Sequence, residues 1–188
     1  MQENVYRILM NQRRLLEKYK RENERLKELV EYYKNESYTD SLTHLNNRRS
    51  IDGKEGFDVI ILGDIDHFKK INDKYGHDCG DDVLVEISNI LRKYTRDSDL
   101  VCRWGGEEFV ILLKDCKVEE AYSKAIFLKD NIENMDANFD FKVTMSFGVS
   151  DMRNKTMQEA IKEADEAMYK SKERGRNRVT IYKLKRNN

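Results

Sequence analysis

A chain of 188 residues suggests one domain with room for an appendage, and its 35 basic and 35 acidic side chains cancel. A formal charge of zero excludes the electrostatic footprint of a general nucleic-acid binder, so no nucleic-acid partner is expected. No apolar run reaches the length of a membrane span and the polar N-terminus carries no secretion signal, so the expectation is a soluble, cytoplasmic protein without membrane contact. Three cysteines, Cys79, Cys102 and Cys116, fit unpaired cytosolic thiols.

Residues 1–37 contain neither Gly nor Pro and read as one long helix. Val5, Leu9, Leu16, Tyr19, Leu26, Val30 and Tyr33 recur at spacings of three and four, with Gln12 and Asn23 in the remaining places of the seam. This is the heptad pattern of a coiled coil, and Asn23 at an a position favours a parallel dimer in fixed register. A second seam runs through Val5, Ile8, Gln12, Leu15, Tyr19, Glu22, Leu26, Leu29 and Tyr33, and each seam has seven apolar members of nine. Pattern alone does not choose between them. The segment is expected to pair two copies of the chain and, if the pair rotates from one seam to the other, to turn whatever it carries. A plain dimerising coiled coil is the simpler reading.

Asn35-Glu36-Ser37 interrupts the seam, and Tyr38 opens a domain expected to span residues 38–188. Only Ser50 to Gly56 separates Arg49 from the next apolar run. Phe57–Leu62 reads as a buried strand ending at Gly63-Asp64. Phe68–Tyr75 and Asp81–Tyr94 read as helices, the second with Val83, Leu84, Ile87, Ile90 and Leu91 on one face. Val101–Trp104 and Phe109–Leu113 read as a hairpin turning at Gly105-Gly106, where glycine supplies the positive φ of a two-residue turn. A helix over Ala121–Ile132, a strand over Phe139–Val149, a helix over Met157–Lys172 and a strand over Val179–Tyr182 complete the chain. Helices interleaved with a central hairpin predict an α+β fold, a mostly antiparallel sheet flanked by helices.

Two strand ends are acidic. Asp64 follows the Phe57 strand, and Glu107-Glu108 follow the hairpin tip. A buried strand would continue with apolar side chains rather than adjacent acids. If the two strands are neighbours, Asp64 and Glu107 meet at one edge of the sheet, a cluster that a hard divalent ion such as Mg2+ would neutralise together with phosphate oxygens of a substrate. Glu107 and Glu108 taken alone would be two surface acids on a turn.

Gly105-Gly106-Glu107-Glu108-Phe109 resembles the signature of the GGDEF family, the diguanylate cyclases. The resemblance continues, in the family's order, through Asp40-Ser41-Leu42-Thr43-His44-Leu45-Asn46-Asn47-Arg48-Arg49, Asp64-Ile65-Asp66-His67-Phe68-Lys69-Lys70-Ile71-Asn72-Asp73, Gly76-His77-Asp78-Cys79-Gly80-Asp81 and Lys172-Glu173-Arg174-Gly175-Arg176-Asn177, over residues 38–183. It implies a palm-like, ferredoxin-related fold, with the first helix of the domain truncated, because Ser50 to Gly56 stands where family members have a longer helical stretch. The implied activity joins two GTP into cyclic di-GMP with loss of two pyrophosphates.

By that resemblance, Asp64, the carbonyl of Ile65, Glu107 and Glu108 are the metal ligands, for two Mg2+ per GTP with Mn2+ able to replace them. Glu107 is also the acceptor of the 3′-hydroxyl proton. Glu108 either binds metal or orients its neighbour. Amides of Phe68 and Lys69, at a helix start where N–H groups lack partners, suit phosphate, and Lys172 and Arg176 match the positions that hold the triphosphate. Alone, that basic helix end would be a solvated cap. Asn72 and Asp81 fit the guanine contacts, since a carboxylate takes N1–H and N2–H while an amide serves the other positions. Alternatively Asn72 caps a turn and Asp81 is the N-cap of the next helix. His77, Gly105 and Gly106 complete the implied substrate site.

Arg96 and Asp99, ending six residues before Gly105, resemble the family's inhibitory site for product. As an isolated tetrapeptide they would be a surface ion pair. One GTP per domain cannot cyclise alone, so a homodimer through the N-terminal helix is implied. The alternative function is a catalytically silent domain that binds GTP or cyclic di-GMP and relays a signal. All the signature positions are present, which favours activity.

Overall fold

The structure, a computed structural model, describes residues 2–137 and 139–183, with the backbone alone for residues 2–5, 8 and 34–37. The chain divides into two compact units, Met1–Tyr38 and Thr39–Asn188. The first is the helix α1 (Gln2–Tyr38), which continues through the point where the seam is interrupted. Leu16 of one seam is 57% exposed and Leu15 of the other 52%, so both stripes lie open along the helix. The side chains of Val5 and Ile8, where the seams begin, lie outside the described residues.

The second unit is a six-stranded mixed sheet with helices on both faces. In chain order it comprises β1 (Asn46–Asn47), a single 3-10 turn at Arg48–Ile51, β2 (Val59–Ile65), α2 (Phe68–Tyr75), α3 (His77–Lys93), β3 (Leu100–Arg103), β4 (Glu108–Leu113), α4 (Val118–Glu133), β5 (Met145–Asp151), α5 (Met157–Glu173) and β6 (Val179–Ile181). The strands lie in the order β1-β3-β4-β2-β5-β6. The three inner pairings are antiparallel, and β1–β3 and β5–β6 at the edges are parallel. The expected truncation is present: one 3-10 turn stands where a first helix would be.

Strand alternation divides the core in two. Val59, Ile61 and Ile65 of β2 face one way with Phe109, Ile111 and Leu113 of β4, against Val83, Leu84, Ile87 and Leu91 of α3 and Ala121, Ala125 and Leu128 of α4. Ile60 and Leu62 face the other way with Val110 and Leu112, against Ala160, Ala164 and Met168 of α5. Thr156 caps α5 reciprocally with Glu159, its hydroxyl accepting from Glu159 N and its N–H donating to the Glu159 carboxylate at 2.8 Å.

Two strands differ by more than one residue from their expected bounds. β2 does not stop at Gly63 but runs through Asp64 to Ile65. A Cβ on Gly63 would come within 2.5 Å of the Phe147 ring, so the glycine gives room to a neighbour on β5 and does not end the strand. β5 begins at Met145, and residues 139–144 are irregular. Phe139 and Phe141 stack on each other there, and Phe141 stacks on Tyr75 at 4.4 Å between centroids. None of the three cysteines is in a disulfide. Among the described residues no helix is long and apolar enough to cross a membrane.

Candidate active site

Asp64 shares the parity of Ile60 and Leu62, so it emerges on the α5 face of β2. Glu108 has the parity of Val110 and Leu112 and sits directly opposite Asp64 in the β2–β4 register. Four residues beyond Met168, one helical turn along the face of α5 that packs on this side, comes Lys172. Its Nζ lies 2.8 Å from Asp64 Oδ2. The sheet thus brings two carboxylates and an ammonium together from three elements. Burial pushes the Asp64 carboxyl above its ordinary value although Lys172 pulls it back, and the charge of Asp66 adds to the rise. Glu107 is pushed up by burial and then by Asp64 and Glu108, and Glu108 by burial and then by Asp64. The excess is negative.

The signature loop departs from the expected two-residue turn. It spans Trp104 to Glu107, with the N–H groups of Trp104 and Gly105 donating to Glu108 O at 2.8 and 3.3 Å. Neither Gly105 nor Gly106 has a positive φ. Gly105 serves close approach instead: a Cβ there would lie 2.8 Å from Glu108 Oε2, whose carboxylate folds back over the loop. The Ile65 N–H donates to Glu107 O at 3.2 Å and fixes the loop against β2. The Ile65 side chain is in the core, so only its main chain is available to the site.

Three residues outside the expected set hold this loop. Arg103 donates to Gly106 O at 2.9 Å and to Asp40 Oδ1 at 3.0 Å. Asp40 also accepts from the N–H and hydroxyl of Thr43. Arg48 lies 4.3 Å over the Trp104 ring.

Phe68 and Lys69 begin α2 after His67, which stands in the left-handed region at φ 59. Hydrogen bonding into the helix starts with Lys70 and Ile71, both to His67 O, leaving the Phe68 and Lys69 amides at its open start. Helix α3 begins at His77, earlier than expected, so Asp81 lies inside the helix and is not its N-cap. Gly76 takes that place and also ends α2. His77 and Asp81 are exposed, and Asn72 is half-buried.

Arg176 belongs to a turn of three successive positive-φ residues, Gly175 (107), Arg176 (62) and Asn177 (47). Asp66 secures it. Its buried carboxylate accepts from Asn177 N at 3.0 Å, Thr144 Oγ1 at 2.8 Å and Ser146 Oγ at 2.7 Å. Asn177 in turn donates to Glu133 at 2.8 Å. Sequence reasoning passed over Asp66; its only local signal was a second acid two residues after Asp64, on the same side of the chain.

Arg96 and Asp99 lie at the other end of β3, beside a cavity of about 320 Å³ lined in part by Lys114, Cys116 and Lys124. The Asp99 side chain is only 3% exposed. It accepts from Arg96 N at 3.1 Å and from Lys114 N at 3.4 Å, with Lys124 Nζ at 3.8 Å. Arg96 itself is exposed.

Among the described residues, no three acidic or imidazole side chains enclose an ion by themselves. The cluster of Asp64, Glu107 and Glu108 nonetheless suits a hard cation such as Mg2+, which takes one or two carboxylates and completes its shell with water and phosphate. The mutual elevation of these acids, only partly offset by Lys172, is the charge imbalance that such an ion relieves.

A mixed sheet flanked by helices, with an acidic cluster at the ends of its two central strands, defines a palm-type domain. Residues 37–178 match the family model "Diguanylate cyclase, GGDEF domain", and the chain belongs to that family. It is 38% identical over 151 residues to Diguanylate cyclase A of Treponema denticola, covering 78% of this chain and 41% of that protein. The chain thus spans about two-fifths of the length of that curated relative. The coiled coil and GGDEF domain of DgcB from Caulobacter crescentus, solved with c-di-GMP, superposes with a TM-score of 0.78 at 27% identity, over 88% of this chain and 96% of that one. Diguanylate cyclase SiaD of Pseudomonas aeruginosa, solved with its activator SiaC, gives 0.75 at 30% identity over 95% and 75%.

Proposed function

We propose that this chain condenses two GTP molecules into cyclic di-GMP. The observation that carries the reading is the register of β2 and β4, which sets Asp64 across from Glu108 with Glu107 beside them in the loop. In each half-reaction a 3′-oxygen bonds to the α-phosphorus of the other nucleotide and the bond to pyrophosphate breaks. Glu107 takes the hydroxyl proton, a role that suits a carboxyl raised above its ordinary value. Asp64, Glu107, Glu108 and the Ile65 carbonyl would hold Mg2+, which supplies neutralisation of the phosphate charge. The amides of Phe68 and Lys69, with Lys172 and Arg176, bind the triphosphate. Lys172, which meets Asp64 at 2.8 Å, would be free to bind phosphate with that carboxylate neutralised by a cation. Asn72 and Asp81 read the base, and His77, Gly105 and Gly106 border it.

One domain presents one such site, so cyclisation needs a second copy facing it. Helix α1, with large apolar side chains open along both seams, supplies the means of pairing. Product inhibition acts through exposed Arg96, with Asp99 shaping the turn that presents it. The experiment is incubation with GTP and Mg2+ and separation of the nucleotides by chromatography with mass detection, beside a Glu107→Ala variant. Cyclic di-GMP from the wild type and none from the variant is expected. Nucleotide binding without product would replace the reading with that of a silent receptor.

A further inference from the structure

Helices α2 and α3 are joined at the single residue Gly76, at φ 90 and ψ 162, which bonds back to Asn72 O at 2.9 Å. This corner folds the first turn of α3 across the last turn of α2. Gly80 in that first turn is buried and faces Asn72. A Cβ on Gly80 would stand 1.9 Å from Asn72 Oδ1, 3.0 Å from its Cγ and 3.2 Å from Phe68 Cζ. The amide therefore occupies the space where any other residue would carry its first side-chain carbon. Asn72 Oδ1 is buried and has no hydrogen-bond partner. An unpaired buried acceptor is costly, and its survival calls for a reason other than stability.

We propose that Gly80 is a positioning residue for base selection, the absent side chain on α3 that seats the Asn72 amide with its oxygen inward and its NH2 group toward the nucleotide. The inference rests on the reading that the site takes GTP. An NH2 group can donate to guanine O6, whereas adenine presents its own N6 donors at that position. Asp81, exposed on the residue after Gly80, completes the pattern by accepting from N1–H and N2–H. Discrimination then depends on where the amide is held. Glycine inside a helix is disfavoured by backbone entropy, so helix stability alone would select alanine here.

The test is Gly80→Ala, measured for GTP and ATP binding by calorimetry and for thermal melting. Because the blocking atom is the end of a side chain that can swing away, the variant keeps its fold and melts no lower than wild type. Its affinity for GTP falls by about tenfold or more, and its preference for GTP over ATP falls with it. Asn72→Ala gives the same loss, and the double variant is no worse than Asn72→Ala alone, since the two changes remove one contact. Unchanged GTP affinity in Gly80→Ala, or additive losses in the double variant, would overturn the inference. Unfolding of Gly80→Ala would overturn it too, because the glycine would then serve packing against Phe68. If the wild type binds no GTP, the functional reading falls and takes this one with it; if it binds GTP and Gly80→Ala binds equally, only this one falls.

Discussion

Asp64 and Asp99 are both nearly buried carboxylates with a lysine close by, yet they sit at opposite ends of the β3–β4–β2 ladder in opposite electrostatic situations. Asp64 meets Lys172 but is crowded by Asp66, Glu107 and Glu108, and its carboxyl is raised. Asp99 is saturated by main-chain donors from Arg96 and Lys114, with Lys124 behind them. An acid surrounded by N–H groups holds a turn together. An acid surrounded by other acids is arranged for something that arrives from outside.

Glu107→Gln breaks the crowded end, to which the proposed chemistry is assigned. Turnover should fall by roughly 10² to 10⁴, measured as cyclic di-GMP formed at saturating GTP. The melting temperature should stay level or rise, because one of three mutually repelling acids becomes neutral. A variant that lost stability in step with activity would mean that the cluster is structural.

Asp99→Ala tests the saturated end. It leaves the Arg96 and Lys114 N–H groups and the Lys124 ammonium without their acceptor, at a cost of about 1–3 kcal/mol in denaturant unfolding. Arg96→Ala should cost less than about 0.5 kcal/mol, being exposed, while relieving inhibition by added cyclic di-GMP. Equal stability losses from the two would erase the distinction between a residue that holds the turn and one that meets a ligand.

The smallest effect concerns Asp40, an acid of the saturated kind that braces the active loop. Burial would raise its carboxyl, but the Thr43 N–H, the Thr43 hydroxyl and Arg103 together hold it below the ordinary value of 3.8. A depressed folded value means that its contribution is present above 3.8, declines as pH falls below that, and is gone once the folded carboxyl protonates. Acid unfolding of Asp40→Asn should therefore show a shallower loss of melting temperature below pH 4 than the wild type. Parallel curves would remove Asp40 from the account.

Local pattern was enough to find the helices, though not all of their ends. Phe68–Tyr75 was legible to its ends because the apolar spacing and the flanking residues agree, and the second half of α3 was legible for the same reason. Its first turn was not, because His77, Asp78 and Gly80 read as loop, and the close packing of Gly80 on Asn72 is a contact between two helices. Strand ends failed similarly: Gly63 looks like a breaker until Phe147 is placed over it.

The chain by itself determined the order of the elements, the acidic strand ends and the family, because periodicity and motif spacing are local properties. Tertiary structure decided which acids meet. It set Asp64 against Glu108 through strand register, brought Lys172 over them from the far end of α5, and gave Asp66 partners 78, 80 and 111 residues away. It also made Asp99 a structural anchor by closing main-chain donors around it. Register and helix docking arise from long-range burial, which no window of sequence contains.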